Sequence, residues 1–465
     1  MNALYKSFRD AARREPRRPL LCPRPGGAWL TAGNLLEETE ELASGLRGAG
    51  LSRGGILMLV AGNVPGFVAA TIAAWACGAA LLPAEPSLPE SEIRRLVRAF
   101  RPALLVRDRA GRTEILRPEP PGRPAAVMDA AIIRLTSGTT RAALGAIIPS
   151  AALSADGRAI IRKMGIGRDD INVGVVPLGH SYGFDNLILP LLLQGTPLIL
   201  LESPLPGLLH KALGSPGPLI LPLVPYLVDL VSRHPEPPPR PSGLRLCISA
   251  GAPLPRAMAA RFREKFGVPV RTFYGASETG GIAYDDSRDA DAPEGCVGTP
   301  LPGVRMTIER TRLPGLSPGE GRVTVSGRAV GRGYHPKGSA EFRPGRFRTM
   351  DLGYTDADGR LFLTGRVSNL VNVSGRKVNP AEVERTLLSL DGIADAAVVG
   401  IKDRLRGERI EAWVVGLSDQ GPAFIRAELA RRLSAHKVPR TIHLVESIPR
   451  TARGKLDRIR LLEAR

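Results

Sequence analysis

Apolar and polar positions alternate along the first 270 residues in the manner of strands followed by helices. Short runs that suit buried strands occupy residues 56–61, 103–106, 172–177, 197–201 and 244–249. Segments that suit helices follow them at residues 67–77, 90–100, 185–193 and 255–266. Because strands separated by helices can pair in parallel, this alternation predicts helices layered on mainly parallel sheets.

One long apolar segment, residues 56–84, contains no charged residue and is long enough to cross a bilayer. Gly62, Pro65 and Gly66 interrupt it near its start, and its remainder is rich in alanine and glycine. These turn-forming residues favour a buried strand, a turn and a buried helix. We therefore predict no transmembrane anchor here.

The pattern changes after about residue 295. Short alternating segments, typical of a small antiparallel β subdomain, lie at residues 304–308, 322–325 and 361–363. From about residue 368 a compact tail is predicted, with helices over 380–390 and 423–433 and strands over 396–401 and 411–415. We therefore predict an α/β fold with two domains. Residues 1–366 form a large N-terminal domain of layered α/β sheets plus a small β subdomain, and residues 367–465 form a small mobile α+β C-terminal domain.

The chain has 465 residues, of which 43% are hydrophobic, and a net charge of +19. This charge favours anionic partners such as nucleotides, coenzymes, acidic carrier proteins or anionic membrane surfaces. Solubility or biased genome composition is an alternative origin of the charge. Because the arginines are dispersed and only 5% of the residues are aromatic, no specific nucleic-acid function is predicted.

The four cysteines, Cys22, Cys77, Cys247 and Cys296, are widely separated. No pair has the spacing of a metal knuckle, and four in a chain of this length do not make a disulfide scaffold. The first 20 residues are charged and lack the apolar core of a signal peptide. These features predict a protein of the reducing cytoplasm.

A glycine- and hydroxyl-rich loop follows the apolar run at residues 130–133. Its residues are Leu135, Thr136, Ser137, Gly138, Thr139 and Thr140. Small residues let successive backbone N–H groups converge on phosphate oxygens, so the loop is a candidate triphosphate site. It lacks the Walker pattern, and an ordinary polar turn is the alternative when the loop is taken alone.

A second segment, residues 449–455, presents Lys455 directly after Gly454. Together with the loop it indicates an ATP site whose essential cation comes from a separate C-terminal domain. Taken alone, a Gly-Lys pair near a C-terminus is usually a solvated turn.

Both segments belong to an ordered set that resembles the motifs of the adenylate-forming superfamily. This AMP-dependent synthetase and ligase family includes acyl- and aryl-CoA synthetases, nonribosomal peptide adenylation domains and firefly luciferase. The resemblance spans residues 55–458. The motifs are LTSGTT at 135–140, PLGHSYG at 177–183, SAGAP at 249–253, YGASE at 274–278, GR at 327–328, GY at 333–334, TMDLG at 349–353, GR at 365–366, GRKVNPAEVE at 375–384 and PRTARGK at 449–455.

The resemblance implies a set of ATP-binding residues. They are Thr136, Ser137, Gly138, Thr139, Thr140, Arg141, Ala250, Gly251, Ala252, Tyr274, Gly275, Ser277, Asp351 and Arg366. Tyr274 would lie against the adenine, and Ser277 would contact the α-phosphate. Asp351 would accept hydrogen bonds from the ribose hydroxyls, for which its two oxygens are suited, and Arg366 would brace the ribose and phosphates.

The resemblance also implies three catalytic residues, Lys455, Glu278 and His180. Glu278 would hold Mg²⁺, and Lys455 would reach the substrate carboxylate and the α-phosphate, where charge develops. His180 would gate the acyl pocket or, alternatively, cap the helix after it. Taken alone, Glu278 could instead balance a helix dipole, and Asp351 could form a turn.

The implied reaction has two steps, and the tail would rotate between them. A hinge near Ser368 would exchange Lys455 for the segment 373–377, which would then face the acceptor thiol. Only a few residues need to absorb such a motion.

The sequence departs from the superfamily's pattern in several places. Leu144 stands where the phosphate loop usually has lysine, and Arg141 replaces a glycine. We hypothesise that Arg141 supplies part of the missing charge. Met350 replaces the glycine before Asp351. The hinge reads Ser368-Asn369, and Asn372 stands in place of a common lysine. The sequence nevertheless keeps Glu278, Asp351, Arg366 and Lys455, which favours an active enzyme.

We predict an acid–thiol ligase, an AMP-forming enzyme similar to acyl-CoA synthetases. The apolar segments 184–193 and 201–209 favour a hydrophobic carboxylic acid, fatty or aryl, as in fatty acid metabolism. ATP and Mg²⁺ would convert the acid to acyl-AMP with release of pyrophosphate. CoA would then accept the acyl group.

Two alternatives remain open. The first is an acyl-AMP or acyl–carrier-protein ligase that uses the phosphopantetheine of a separate, acidic acyl carrier protein. Since no carrier domain follows residue 465, we expect either acceptor to be free. The second alternative is a degenerate, non-catalytic nucleotide or acyl binder.

Overall fold

A computed structural model describes residues 2–109, 112–119, 122–136, 143–237, 243–287, 293–310, 316, 318–373, 376–403, 407–416, 421–450 and 456–463. The chain divides into two compact units. The first comprises Met1–Met306 with Val325–Phe347, and the second comprises Thr307–Thr324 with Arg348–Arg465.

One sheet of the first unit has seven strands. Their order is Gly333–His335, Gly145–Ile148, Ile132–Leu135, Ala80–Ala84, Ile56–Val60, Leu104–Arg109 and Arg112–Leu116. The four strands from Ile132–Leu135 to Leu104–Arg109 are parallel, and the strands outside them are antiparallel to their neighbours. The central strands are apolar and buried, as expected for parallel strands that are covered on both faces.

A second sheet of this unit is also mainly parallel. Its strands, in order, are Leu30–Thr31, Pro19–Cys22, Leu198–Leu200, Ile171–Gly174, Leu219–Leu223, Leu244–Ser249, Val270–Ala276, Gly280–Tyr284 and Cys296–Pro300. The six strands from Pro19–Cys22 to Val270–Ala276 are parallel. The last two turn back as an antiparallel extension.

Helices pack around these sheets. They are Ala3–Arg14, Ala32–Gly48, Pro65–Ala76, Glu90–Phe100, Ser150–Met164, Ser181–Gly183, Leu189–Gln194, Pro206–Leu213, Pro225–Arg233 and Arg256–Phe266. The helix Ser150–Met164 packs closely on Leu189–Gln194. A Cβ atom on Gly157 would lie only 2.5 Å from a leucine methyl group, so the contact leaves no room for a side chain at this position. Among the described residues, no helix is long and apolar enough to cross a membrane.

The second unit contains a hairpin and a small α+β layer. Its hairpin strands are Arg346–Thr355 and Leu361–Arg366, and further strands are Val371–Val373, Arg376–Val378, Ile393–Asp403, Gly407–Gly416 and Thr441–Leu444. Its helices are Pro380–Leu388, Gly421–Arg432 and Arg458–Glu463. Apolar residues from the strands and from the first two helices form its core, which includes Val383, Leu387 and Leu429. The strands Val304–Glu309 and Gly321–Gly327 lie where the chain passes between the units.

Most predicted elements are present within a few residues of their predicted bounds. The predicted strand 244–249 is Leu244–Ser249, and the predicted helix 90–100 is Glu90–Phe100. The predicted helix 185–193 differs, because it begins with a π-helical turn, Phe184–Ile188. The uncharged segment after residue 56 forms a strand, a helix and a second strand, all buried.

Candidate active site

The predicted phosphate loop connects two antiparallel strands, Ile132–Leu135 and Gly145–Ile148. Thr136 closes the base of the loop, since its backbone N–H donates a 3.0 Å hydrogen bond to the carbonyl oxygen of Leu144. The Thr136 hydroxyl donates to the same oxygen at 3.2 Å. The other predicted loop residues, Ser137, Gly138, Thr139, Thr140 and Arg141, lie outside the described residues.

The predicted adenine-site residues lie at the ends of two neighbouring strands. Residues 250–252 follow Leu244–Ser249, and Tyr274 lies near the end of Val270–Ala276. These strands are parallel, so the residues share the carboxyl edge of the sheet, where ligands bind in open α/β folds. Gly251 has a φ of +88°, a left-handed conformation that glycine adopts without strain.

Ser277 and Glu278 lie in the turn of a hairpin whose strands are Val270–Ala276 and Gly280–Tyr284. The hairpin is tight at this turn, because a Cβ atom on Gly275 would lie 2.7 Å from a carbonyl oxygen of the opposite strand. The carboxylate that is predicted to bind the metal therefore projects from a short, constrained segment. We call residues 277–281 the Glu278 turn.

The segment after residue 327 connects the Glu278 turn to the phosphate-loop hairpin. The Tyr334 hydroxyl donates a 2.6 Å hydrogen bond to Oε1 of Glu278. The Gly331 N–H donates to the carbonyl oxygen of Glu278 at 2.8 Å, and the Arg332 N–H donates to that of Ile147 at 2.9 Å. The segment between residues 327 and 334 therefore links the motif that contains Glu278 to the strand that follows the phosphate loop.

A buried charged network, which the sequence analysis did not predict, adjoins the same turn. Arg134, Asp156 and Asp185 are each about 2% exposed. Arg134 donates a hydrogen bond to the Asp185 carboxylate, and its other terminal nitrogen lies 3.5 Å from the carbonyl oxygen of Ser277. Oδ1 of Asp156 accepts a 2.8 Å hydrogen bond from the Gly281 N–H.

Burial raises the pKa of both aspartates in this network. Burial raises the pKa of Asp156 well above its ordinary value, and the nearby Asp185 raises it further. Burial also raises the pKa of Asp185 to about 6, although attraction to Arg134 opposes this rise. Oδ2 of Asp156 has no hydrogen-bond partner among the described residues. These causes favour the protonated form of Asp156, whereas Asp185 is mostly ionised at pH 7 and pairs with Arg134.

His180 contacts a carboxylate that the sequence analysis missed. It occupies the N-cap position of the short helix Ser181–Gly183 but makes no side-chain capping bond. Its Nε2 atom is hydrogen-bonded to Glu85. Glu85 follows the strand Ala80–Ala84, a parallel neighbour of Ile132–Leu135, so the pair lies at the sheet edge from which the phosphate loop emerges.

A buried asparagine fixes the backbone that leads to His180. The side-chain amide of Asn63 donates to the carbonyl oxygens of Gly174 and Val176 at 2.9 and 3.0 Å. Its Oδ1 accepts a 2.9 Å hydrogen bond from the Leu178 N–H. One side chain thus replaces three backbone partners in the irregular segment between the strand and His180.

The predicted ribose residues of the second unit lie opposite each other in a hairpin. Asp351 and Arg366 are cross-strand partners, and the Arg366 Nε atom lies 2.8 Å from a carboxylate oxygen of Asp351. Gly365 leaves room for Asn379, because a Cβ atom on Gly365 would lie 2.4 Å from the Asn379 amide oxygen. The motif at 365–366 therefore packs directly against the motif at 375–384, although the two are separate in sequence. Lys455 lies outside the described residues.

The residues around Glu278 suit Mg²⁺ better than a metal that needs an all-protein cage. Among the described residues, no group of three or more His, Cys, Asp or Glu side chains could hold a metal ion. Magnesium is commonly bound by one or two carboxylates together with substrate phosphates and water. A single constrained carboxylate beside a candidate phosphate loop fits that pattern.

The chain matches the family described as "AMP-binding enzyme" over residues 8–335. Residues 382–455 match the "AMP-binding enzyme C-terminal domain". The first match covers more than half of the chain. The chain therefore belongs to the AMP-binding enzyme family.

Similar curated relatives are CoA ligases. A feruloyl-CoA synthase from Amycolatopsis is 28% identical over 460 residues, which cover 93% of each chain. A 2-succinylbenzoate–CoA ligase from Bacillus mycoides is 31% identical over 335 residues, or 71% of this chain and 69% of that one.

Solved structures show the same fold. ATP-bound MatB from Rhodopseudomonas palustris has a TM-score of 0.85 at 23% identity, with 100% of this chain and 99% of that chain covered. The amide bond synthetase McbA from Marinactinospora thermotolerans has a TM-score of 0.82 at 26% identity, with 99% of each chain covered.

These similarities confirm the predicted superfamily, the α/β fold with a large and a small domain, and the enzyme class of acid–thiol ligases. Use of an adenine nucleotide and of CoA is consistent with the matched family and with the CoA-ligase relatives. The roles of individual residues and the domain boundary after residue 366 stay predictions.

Proposed function

We propose that this chain activates a hydrophobic carboxylic acid, fatty or aryl, with ATP and Mg²⁺, and transfers the acyl group to CoA. The observation that carries the proposal is the connection of the Glu278 turn to the phosphate-loop hairpin through Gly331 and Arg332. A metal-binding carboxylate and a phosphate loop must lie side by side for a metal-bound triphosphate to react, and these backbone contacts support assigning the two roles to Glu278 and to the loop that precedes Gly145–Ile148.

In the first step, an oxygen of the substrate carboxylate attacks the α-phosphorus of ATP. The bond to the β-phosphate breaks, acyl-AMP forms and pyrophosphate leaves. Bound Mg²⁺ would neutralise charge on the phosphate oxygens. Glu278 would hold it, while backbone N–H groups of residues 136–141 and the Lys455 ammonium would stabilise the transition state.

In the second step, the sulfur of CoA attacks the acyl carbonyl carbon. The bond to AMP breaks, AMP leaves and the thiol proton is released. We propose that residues 367–465 act as the mobile lid domain, with the short 3-10 helix Val367–Asn369 as the hinge. This motion would withdraw Lys455 after the first step.

A hydrophobic acid is supported by the residues around His180. The π-helical turn Phe184–Ile188 and the following helix are buried and mostly apolar. The relatives named for feruloyl and succinylbenzoyl substrates are consistent with an aryl acid. His180 and Glu85 would then lie at the polar entrance to the acyl pocket.

The proposal is tested by measuring acid-dependent pyrophosphate release with Mg²⁺ and ATP over fatty, aryl and short acids. Each acid is assayed with CoA, with an acyl carrier protein and with neither, and the products are identified by mass spectrometry. We expect acyl-CoA and AMP from a fatty or aryl acid. Silence over the whole panel while ATP still binds would favour a non-catalytic binder.

Lys455 provides a sharper test of the two steps. Lys455→Ala should lower the rate of acyl-AMP formation about 10²–10³-fold, since a cation that acts on the transition state contributes about 3–4 kcal/mol. Transfer from added acyl-AMP to CoA should change much less. A decrease of less than about threefold in the first step would refute the assigned role.

A second candidate shares the first step but uses another acceptor. The similarity to an amide bond synthetase over 99% of the chain favours considering acceptors other than CoA. The net charge of +19 would suit an acidic carrier protein. Turnover that a carrier protein accelerates and CoA does not would select this candidate.

A further inference from the structure

The buried network holds the Glu278 turn from both sides. Arg134 lies 3.5 Å from the carbonyl oxygen of Ser277, which precedes Glu278. Asp156 accepts the N–H of Gly281, three residues after Glu278, at 2.8 Å. The backbone on each side of the predicted metal ligand therefore contacts the same network.

Gly280 shows how closely the network packs on the turn. A Cβ atom at this position would lie 2.0 Å from Oδ2 of Asp156, and the residue has a φ of +69°. No other residue could occupy this position without displacing the Asp156 carboxyl group. The turn and the network are therefore fitted to each other.

Asp185 connects the network to the segment that carries His180. It lies in the π-helical turn Phe184–Ile188, a few residues after the predicted acyl-pocket motif. Arg134 lies in the strand that leads directly into the phosphate loop. The network thus joins three of the segments that are predicted to bind substrates.

Buried ion pairs often add little to net stability, because desolvation offsets their attraction. Their geometry is nevertheless restrictive. We propose that Arg134, Asp185 and Asp156 form a positioning network that fixes the Glu278 turn against the phosphate-loop hairpin and so holds the Glu278 carboxylate in place for Mg²⁺. This inference rests on the proposed function in assigning the metal to Glu278.

Arg134→Lys is the main test variant, and Arg245→Lys is its matched control. Lysine keeps the charge beside Asp185, but a single ammonium group lacks the planar fork that also reaches Ser277. Arg245 pairs with the buried Asp170 near the opposite, amino-terminal end of its strand, away from the predicted site. The control therefore makes the same exchange in another ion pair.

The measurement is calorimetric titration of the full chain with ATP, once with excess Mg²⁺ and once with EDTA. For the wild type, we expect Mg²⁺ to tighten ATP binding. Arg134→Lys should lose about 10-fold or more of that gain, as supporting residues of metal sites commonly do. Binding in EDTA should stay within about threefold of the wild type, and Arg245→Lys should keep the full gain.

Asp156 supplies a conservative rescue. In Asp156→Asn, the amide oxygen can still accept the Gly281 N–H, so the Mg²⁺ gain should persist. Asp156→Ala should lose it. Thermal unfolding of each metal-free variant checks that it is folded.

The inference is overturned if Arg134→Lys is folded and keeps the Mg²⁺ gain within twofold, whether or not Asp156→Ala folds. It also falls if the wild type shows no Mg²⁺ gain, because the assignment to Glu278 would then be wrong. Acid-dependent pyrophosphate release tests the proposed function separately, so the two failures can be told apart.

Discussion

Arg134 and Arg245 each pair with an aspartate in the first unit, but near opposite ends of their strands. Arg134 is the third residue of Ile132–Leu135, next to the predicted phosphate loop, whereas Arg245 is the second residue of Leu244–Ser249. The side chains of Arg134 and Asp185 are each about 2% exposed. In the second pair the arginine is 37% exposed and only the aspartate is buried.

The partners of the two arginines differ as well. Arg245 and Asp170 bind backbone groups of Gly165 and Gly167, and so close a local turn. Arg134 instead connects segments that are distant in sequence and are all predicted to bind substrates. Similar ion pairs can therefore serve different structural purposes: the Arg245 pair closes a local turn, whereas the Arg134 pair joins segments that are distant in sequence.

The largest expected difference between the two ion pairs is in the unfolding free energy lost when the arginine of each pair is removed. Arg134→Met leaves the Asp185 carboxylate buried without its cation, which should cost about 3–5 kcal/mol in unfolding free energy. Arg245→Met should cost less, about 1–2 kcal/mol, because solvent reaches the arginine and Asp170 keeps its hydrogen bond from the Gly167 N–H. Urea unfolding of both variants measures the difference, and equal losses would contradict the distinction.

Removing a carboxylate charge near the predicted site should lower activity far more than removing one near the amino-terminal ends of the strands. Glu278→Gln should lower acyl-AMP formation about 10²–10³-fold, as expected for loss of a metal ligand that acts in the transition state. Asp170→Asn, the matched change at the amino end, should lower it less than about threefold. Pyrophosphate release measures both. Comparable losses would mean that Glu278 has no special role.

The pH dependence of stability should reveal the raised pKa of Asp156. A carboxyl group whose pKa is higher in the folded than in the unfolded protein stabilises the fold at low pH, and this contribution is lost as pH rises above about 4. Asp156→Asn removes that loss, so its unfolding free energy should gain about 1 kcal/mol or more on the wild type between pH 4 and pH 7.5.

Asp169→Asn is the control for this measurement, since its side chain is 94% exposed. Its gain over the wild type between pH 4 and pH 7.5 should be smaller than that of Asp156→Asn. A constant difference for Asp156→Asn would show that folding does not raise the pKa of Asp156.

The smallest effect is expected from changes to the His180–Glu85 pair, which should alter the KM for the carboxylic acid and leave the KM for ATP unchanged. His180→Ala or Glu85→Gln should raise the KM for the acid about fivefold, or about 1 kcal/mol, with the KM for ATP unchanged. His210→Ala, a change outside the predicted motifs, is the control. A change in the ATP KM alone would place the pair in the nucleotide site.

The sequence motifs were sufficient to predict several positions that the fold brings together. Asp351 and Arg366 were predicted as ribose residues and are cross-strand partners. Glu278 was predicted as the metal ligand and lies in a constrained turn beside the phosphate-loop hairpin. Short motifs predict such positions because each motif combines a reactive side chain with the turn that presents it.

The buried network could not be predicted in the same way, because its members belong to three different segments. A signal was nevertheless present: Arg134 interrupts an apolar strand, and Asp185 lies in a mostly apolar segment. Charged residues in such positions need buried partners. Sequence spacing does not identify those partners, since the strand order of the sheets determines which segments meet. Asn63 was missed for the same reason.

The most direct test is exchange of labelled pyrophosphate into ATP with Mg²⁺ and a carboxylic acid, in the absence of any acceptor. Exchange reports reversible acyl-AMP formation and does not depend on CoA or a carrier protein. We expect exchange that requires a fatty or aryl acid and that falls at least about 100-fold in Glu278→Gln. Absence of exchange with every acid, in a protein that still binds ATP, would contradict an adenylate-forming function for this chain.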